Sequence, residues 1–232
     1  MGNRAVITTP YNYNHNGVGV YLHWNGGRDS VEAFLKYMEL RGFRSPSRDA
    51  SYAWARLAQV IGNFFGGGLS VGVDSVDNLD TDGDNGVYLI EGWKIVGRRN
   101  YEGPEQSYYK LEEMLEAIDQ SQPVSEQLGE GFLHAEIRPT ERLRVGDEVF
   151  IQAYDGEPPK CFRVAGFCPD STDLIHGRSL SGIPYVDQWD QGKDAWQNPN
   201  NRLTLETYRV IPVCAEEETA ADFGGLTDSL FL

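Results

Sequence analysis

Cysteine is scarce and odd in number. Only Cys161, Cys168 and Cys214 occur among 232 residues, which argues against a disulfide framework. Cys161 and Cys168 stand too far apart for a Cys-x-x-Cys pair, and His176 is the only histidine near them. Buried free thiols are the ordinary expectation for such residues; a zinc site is the alternative. No apolar run reaches the length of a membrane span. The start, Met1-Gly-Asn-Arg-Ala-Val-Ile7, has no long apolar stretch of the kind a signal peptide needs. The expected location is the cytoplasm, with no membrane partner.

Basic residues are also in deficit. Lys and Arg total 20 against 35 Asp and Glu, a net charge of −15. A chain so charged repels nucleic acid and anionic membranes, and a partner recognised through charge would be a basic protein surface. The plainer reading is that acidity keeps a folded protein soluble. The deficit is uneven. No Lys or Arg falls between Arg56 and Lys94, where Asp74, Asp77, Asp80, Asp82, Asp84 and Glu91 lie. The stretch from Leu111 to Glu130, with Glu112, Glu113 and Glu116, is equally one-sided, and so is the tail from Ala215. Basic residues collect at Arg41–Arg56, Lys94–Arg99 and Arg138–Arg144. Carboxylates grouped in this way can occupy a nucleic-acid channel by standing where phosphates would sit.

Apolar residues make up 40% of the chain and aromatics 12%, which places it among folded globular proteins. The clearest unit is a strand, turn and helix. Val18–Trp24 reads as the strand and Asn25-Gly26-Gly27 as the turn. Asp29 or Ser30 then caps a helix, with Glu32 three residues after Asp29 in capping-box spacing. Val31, Phe34, Leu35, Met38 and Leu40 give its apolar face, and Gly42 stops it. Around this unit the pattern predicts a strand over 4–9, a hairpin loop over 11–17, a helix over 48–65 and a strand over 69–73. A hairpin over 87–96, turning at Glu91-Gly92, and a helix over 107–119 follow.

The economical architecture is α+β: residues 1–120 form a mainly antiparallel sheet with helices on one face. Residues 121–131, polar and containing Pro123, Gly129 and Gly131, read as a linker. Residues 132–214 read as a small β-barrel-like domain interrupted by an irregular insertion over 169–202, and 215–232 as an acidic tail. The insertion carries Trp189 and Trp196. With Tyr11 and Tyr13 in the first loop, these are candidate aromatics for a contact surface.

The sharpest chemical pattern is Asp80-Thr-Asp82-Gly-Asp84-Asn-Gly86, continuing to Glu91. Carboxylates at positions one, three and five with a glutamate at twelve are spaced as in a calcium loop. Asp80, Asp82, Asp84 and Glu91 would be the ligands. Strands rather than helices flank the loop, and a solvated turn is the ordinary use of such residues. Gly26-Gly27-Arg28-Asp29-Ser30 opens a helix and could hold a phosphate, but Asp29 would repel it. His23 could be a base, yet no nucleophile pairs with it in the sequence, so no catalytic residue is assigned. His15, His23, His134 and His176 show no metal-ligand spacing.

Tyr21-Leu-His-Trp-Asn-Gly-Gly27, followed by Ser30-Val-Glu-Ala-Phe-Leu35, resembles a signature of uncharacterised proteins of bacteriophages and conjugative elements. The start Met1–Ile7 and the later Asp84-Asn-Gly-Val-Tyr88 fit the same pattern. The likeness covers the N-terminal half. It implies a mobile element inside a bacterial cell and brings no catalytic residues. The functional expectation is a non-enzymatic acidic protein that blocks a host defence nuclease, of the CRISPR or restriction kind, by nucleic-acid mimicry. The alternatives are a calcium-binding module or small hydrolytic enzyme built on the Asp80–Glu91 loop or the His23–Arg28 turn, and a structural or regulatory phage protein.

Overall fold

The computed structural model describes residues 2–67, 70–101, 103–139, 142–152 and 156–167, together with the strand segments 174–175, 178–179, 184–190, 195–202 and 207–211. The tail 215–232 and Cys168, His176 and Cys214 lie outside the described residues.

The N-terminal half is a five-stranded sheet. Its strands are β1 (Ala5–Thr8), β2 (Val18–Leu22), β3 (Val71–Ser75), β4 (Val87–Glu91) and β5 (Lys94–Arg99), in the order β3-β2-β1-β4-β5. Only β1 and β4 run parallel. Side chains of a strand alternate between faces, and the two faces are clad differently. Ala5, Ile7, Val20, Leu22, Tyr88 and Ile90 point into the main core beneath helices α2 (Arg28–Leu40), α3 (Ala50–Phe64) and α4 (Leu111–Gln120). Val6, Val87 and Leu89 point the other way, to a smaller cluster with Tyr13, Tyr21 and Leu79.

Tyr13 comes from α1 (Pro10–Asn14), a short helix where the sequence suggests a hairpin loop. The Thr9 hydroxyl accepts the Asn12 N–H at 3.1 Å and Pro10 occupies the first helical position, so the local start signals are complete despite the Asn-rich composition. The large helices thus share one face, as the apolar spacing requires, while α1 and the crossing 76–79 cover part of the other.

Helix α2 begins two residues earlier than the capping-box reading places it. Gly27 is the N-cap and makes no side-chain bond. Asp29, inside the first turn, instead accepts the N–H groups of Ser30, Tyr108 and Tyr109, the last at 2.6 Å. Glu32 turns to Arg28 at 2.7 Å. Helix α3 starts at Ala50 because Asp49 accepts the Tyr52 N–H at 3.2 Å. The β4–β5 turn centres on Gly92 and Trp93, with Glu91 paired to Lys94.

The stretch 121–131 packs on the core. It holds a 3-10 turn at Val124–Glu126 and leads into α5 (Glu130–Leu133), and Leu128 and Phe132 belong to the main core. Beyond it lie β6 (Glu136–Pro139), β7 (Glu148–Ile151), β8 (Lys160–Phe167), β9 (Leu174–Ile175), β10 (Arg178–Ser179), β11 (Pro184–Asp190), β12 (Ala195–Arg202) and β13 (Thr207–Ile211). Six of these form an antiparallel sheet in the order β12-β11-β8-β7-β13-β6. Its two outer strands, β12 and β6, do not pair among the described residues, so the sheet is open and the expectation of a barrel is corrected.

The irregular insertion expected over 169–202 is likewise corrected. It contains β9 to β12, with Trp189 and Trp196 directly opposed in the β11–β12 register. Its Asn, Asp and Pro content hides strands whose positions are set by pairing rather than by intrinsic preference.

Candidate functional site

The chemistry-bearing residues of the N-terminal half gather where β1 begins. Arg4 lies just before that strand. Its Nη1 meets Asp80 at 2.7 Å, its Nε meets Asp84 at 3.2 Å, and its backbone N–H donates to Asp84 at 3.1 Å. That backbone bond, helped by the guanidinium, holds the Asp84 carboxyl below the usual aspartate value despite some loss of solvent. Thus the cation facing the Asp-rich loop is an arginine from elsewhere in the chain, supplied across 76 residues.

Asn85 lies beside it. The side chain donates to Asn3 and the backbone N–H donates to the Arg4 carbonyl at 2.9 Å. The Asn85 carbonyl accepts Nε of Arg98 at 2.8 Å. Arg98 is the register partner of Tyr88 across β4–β5. On the opposite sheet face, the Tyr21 hydroxyl reaches Nδ1 of His23 at 3.0 Å, and His23 packs edge-on to Trp24 with ring centroids 4.9 Å apart. The Tyr21 phenol is pushed up chiefly by burial, with the nearby Asp80 carboxylate adding to it. The segments 2–7, 21–27 and 84–88, far apart in sequence, therefore meet at one end of one sheet. A cleft of about 940 Å³ opens there, lined by Arg4, Asp82, Asp84, Arg98, Arg99 and Tyr101 among others.

The acidic residues named from the sequence divide into two groups. Asp74 is exposed near the end of β3; on the chain that crosses from there to β4, Asp77, Asp80 and Asp82 are exposed and Asp84 is half-buried. Val76 and Leu79 anchor this crossing on the sheet face opposite the large helices, against Gly19 and Val6. Glu112 and Glu113 are exposed on α4, whose Met114 and Leu115 pack on the helical side. Glu116 pairs with His134 at 2.7 Å. The sheet separates the two groups, so the crossing stands by itself as the acidic face.

Glu91 is exposed at the far end of β4, and a five-residue strand separates it from the carboxylates of the loop. At about 3.3 Å per residue, it stands more than 10 Å along the strand from where β4 starts. Among the described residues no three His, Cys, Asp or Glu side chains gather at metal-binding distance. The donors at the start of α2 are already engaged by the carboxylate of Asp29 and the carbonyl of Gln106, which leaves the Gly26–Ser30 turn little to offer a phosphate. Tyr11 is 70% exposed and stacks on His15 at 4.3 Å. Tyr13 is half-buried against the sheet and donates to Asn100.

Sequence reasoning missed Arg4, Arg98 and Tyr101. A signal was available: a loop with three Asp and no neighbouring cation needs one brought by the fold, and the nearest Arg cluster downstream is Arg98-Arg99. Comparison with protein-family models, with characterised proteins and with solved structures finds no match to this chain.

Proposed function

We propose that the chain is a non-catalytic binding protein of a bacterial mobile element that sets an acidic face against a basic protein surface. The observation that carries this reading is the crossing from β3 to β4. With the end of β3 it presents exposed Asp74, Asp77, Asp80 and Asp82, within a run from residue 57 to 93 that has no Lys or Arg. Exposed charges on one short segment lie within about a Debye length, roughly 8 Å, of their neighbours and so act on a partner together. Such a face steers and orients a basic partner more than it adds raw affinity. The resemblance of segments 1–7, 21–35 and 84–88 to proteins of phages and conjugative elements makes a nucleic-acid-binding host defence nuclease the partner to test first.

The test is inhibition of DNA cleavage by purified CRISPR and restriction nucleases, with and without the protein. Asp77→Lys/Asp82→Lys is the informative variant, because neither side chain makes a hydrogen bond or ion pair among the described residues and the change reverses charge at two points of the crossing. Inhibition that weakens steeply with salt and is lost in this variant supports the reading. Inhibition equally strong in the variant, or no inhibition of any such nuclease, removes it.

A further inference from the structure

The Arg98 guanidinium is buried and incompletely satisfied. Its side chain is 7% exposed. Nε donates to the Asn85 carbonyl at 2.8 Å. Nη1 stands 3.8 Å from Glu105, beyond hydrogen-bond length. That carboxylate is committed elsewhere: Nη1 of Arg28 holds both of its oxygens, at 3.0 and 3.2 Å. Nη2 of Arg98 has no hydrogen-bond partner among the described residues. The hydroxyl of Tyr88, its register partner, is also buried and without one. A guanidinium withdrawn from water with its donors unmatched is costly, and native proteins keep such an arrangement where something else completes it.

The surroundings show what would complete it. The ring of Tyr101 lies 4.2 Å from the guanidinium carbon and that of Tyr88 lies 5.6 Å away. Aromatic rings therefore cover the guanidinium, and the Nη1–Nη2 edge is the uncommitted side. Two parallel N–H groups on that edge match the two oxygens of a carboxylate or phosphate. Arg98, Arg99 and Tyr101 line the cleft, with Nη2 itself withdrawn from solvent. Of the carboxylates on the other wall, Asp84 is already matched by Arg4, which leaves Asp82 as the opposing charge. The cleft, about 940 Å³, has room for a metabolite-sized molecule.

We propose that Arg98 receives the oxyanion of a small molecule, a carboxylate or phosphate group, in the cleft between β5 and the 82–84 turn, with Tyr101 as its stacking wall. The site shares Asp82 with the acidic crossing, but its test turns on Arg98, so it can fail while the protein-binding reading stands, and the reverse.

Thermal melts of the full chain with inorganic phosphate and with acetate test this. A specific site gives a saturable rise, about 3–6 °C at ten times Kd for a chain of this size. The rise is lost in Arg98→Met and kept in Arg56→Gln, on the far helix α3. Because Arg98→Met removes a buried group and can fail to fold, Arg98→Lys is the second variant. It keeps the charge but not the fork, and its binding is expected to be at least about tenfold weaker. The arginine Nε–Hε NMR signal of Arg98 should move with the same saturation. Tighter binding of phosphate identifies a tetrahedral anion and tighter binding of acetate a planar one; either upholds the site. A non-saturating rise of equal size in wild type and Arg98→Lys is the general salting effect of phosphate and overturns it. No response to either probe up to about 50 mM also overturns it, since even weak sites fill in the millimolar range.

Discussion

The Tyr37 hydroxyl donates to the Asp119 carboxylate at 2.7 Å, joining α2 to α4 across 82 residues of chain. Asp119 is 3% exposed and also accepts the N–H groups of Leu128 and Gly129, at 2.7 and 2.9 Å. One buried carboxylate thus ties two helices to the turn that follows them. Burial pushes the Tyr37 phenol well above its ordinary value, with the Asp119 hydrogen bond acting in the same direction. The pair works as a neutral donor on a charged acceptor. Tyr37→Phe removes one donor of three and should cost about 1.5–3 kcal/mol, the range for hydrogen bonds to charged groups. Asp119→Ala should cost more, because it strands the buried Leu128 N–H and the Tyr37 hydroxyl and also removes the Gly129 bond. Urea unfolding of both variants checks the order, and a Tyr37→Phe variant as stable as wild type would show the bond to be incidental.

Gly86 and Gly92 share a left-handed backbone, φ +68° and +63°, but not their surroundings. A Cβ at Gly86 would fall 2.2 Å from the Arg99 carbonyl oxygen, a backbone atom that cannot swing away, whereas at Gly92 nothing lies within 4 Å. Gly92→Ala should cost about 1–2 kcal/mol, for the left-handed conformation alone. Gly86→Ala adds about 1–3 kcal/mol of overpacking, and it strains the carbonyl that accepts the Val6 N–H at 2.9 Å. Denaturation midpoints of the two variants compare them directly; equal losses would contradict the close approach.

These elements also show what the sequence discloses. Apolar spacing located α2, α3, α4 and the hairpin around Gly92, because a helix or strand with one buried face must repeat at its own period. It could not locate α1, whose five residues bury no side chain fully. Nor could it read β11 and β12, where Trp189 is the register partner of Trp196 in polar sequence and the order comes from pairing. Within the stretch read as a linker, only one of its two apolar residues, Leu128, is drawn into the core, where its N–H meets Asp119, while Val124 stays exposed. At the site, the Asp residues were legible as a loop. Their cation was not, since Arg4 precedes them by 76 residues and no local pattern encodes a contact at that range.

Cys161 should be nearly inert. Its thiol is pushed up to about 12, mostly by burial and then by the Glu148 carboxylate, which its Sγ approaches at 3.8 Å. At pH 8 its thiolate fraction is then about 10⁻⁴, against roughly a quarter for an ordinary thiol. With Cys168 and Cys214 replaced by Ser, iodoacetamide should label the native chain about a thousandfold more slowly than the urea-unfolded chain. Glu148→Gln removes one of the raising charges and should speed the native reaction. Equal native and unfolded rates would mean that the thiol is open to solvent.

The Arg4–Asp84 contact predicts an acid-side loss of stability with a definite sign. Asp84 titrates below the ordinary aspartate value of 3.8 in the folded chain, because the Arg4 N–H and guanidinium favour its charged form. A group whose folded value is depressed binds fewer protons folded than unfolded. Its contribution is therefore complete above pH 3.8 and drains away as pH falls through the lower, folded value. Asp84→Asn lacks this contribution at every pH. Its urea midpoint should lie below wild type by a constant amount at about pH 4.5 and above, and the gap should narrow from there towards about pH 2. Asp74, also lowered, by Asn78 and then by the Ser75 N–H, titrates in the same window but does so in both proteins, so it leaves the difference unchanged. Arg4→Met should mimic Asp84→Asn in the shape of its pH profile. A gap that stays constant down to pH 2 would place the ion pair in the unfolded chain as well, and Arg4 would no longer serve as the cation that organises the loop.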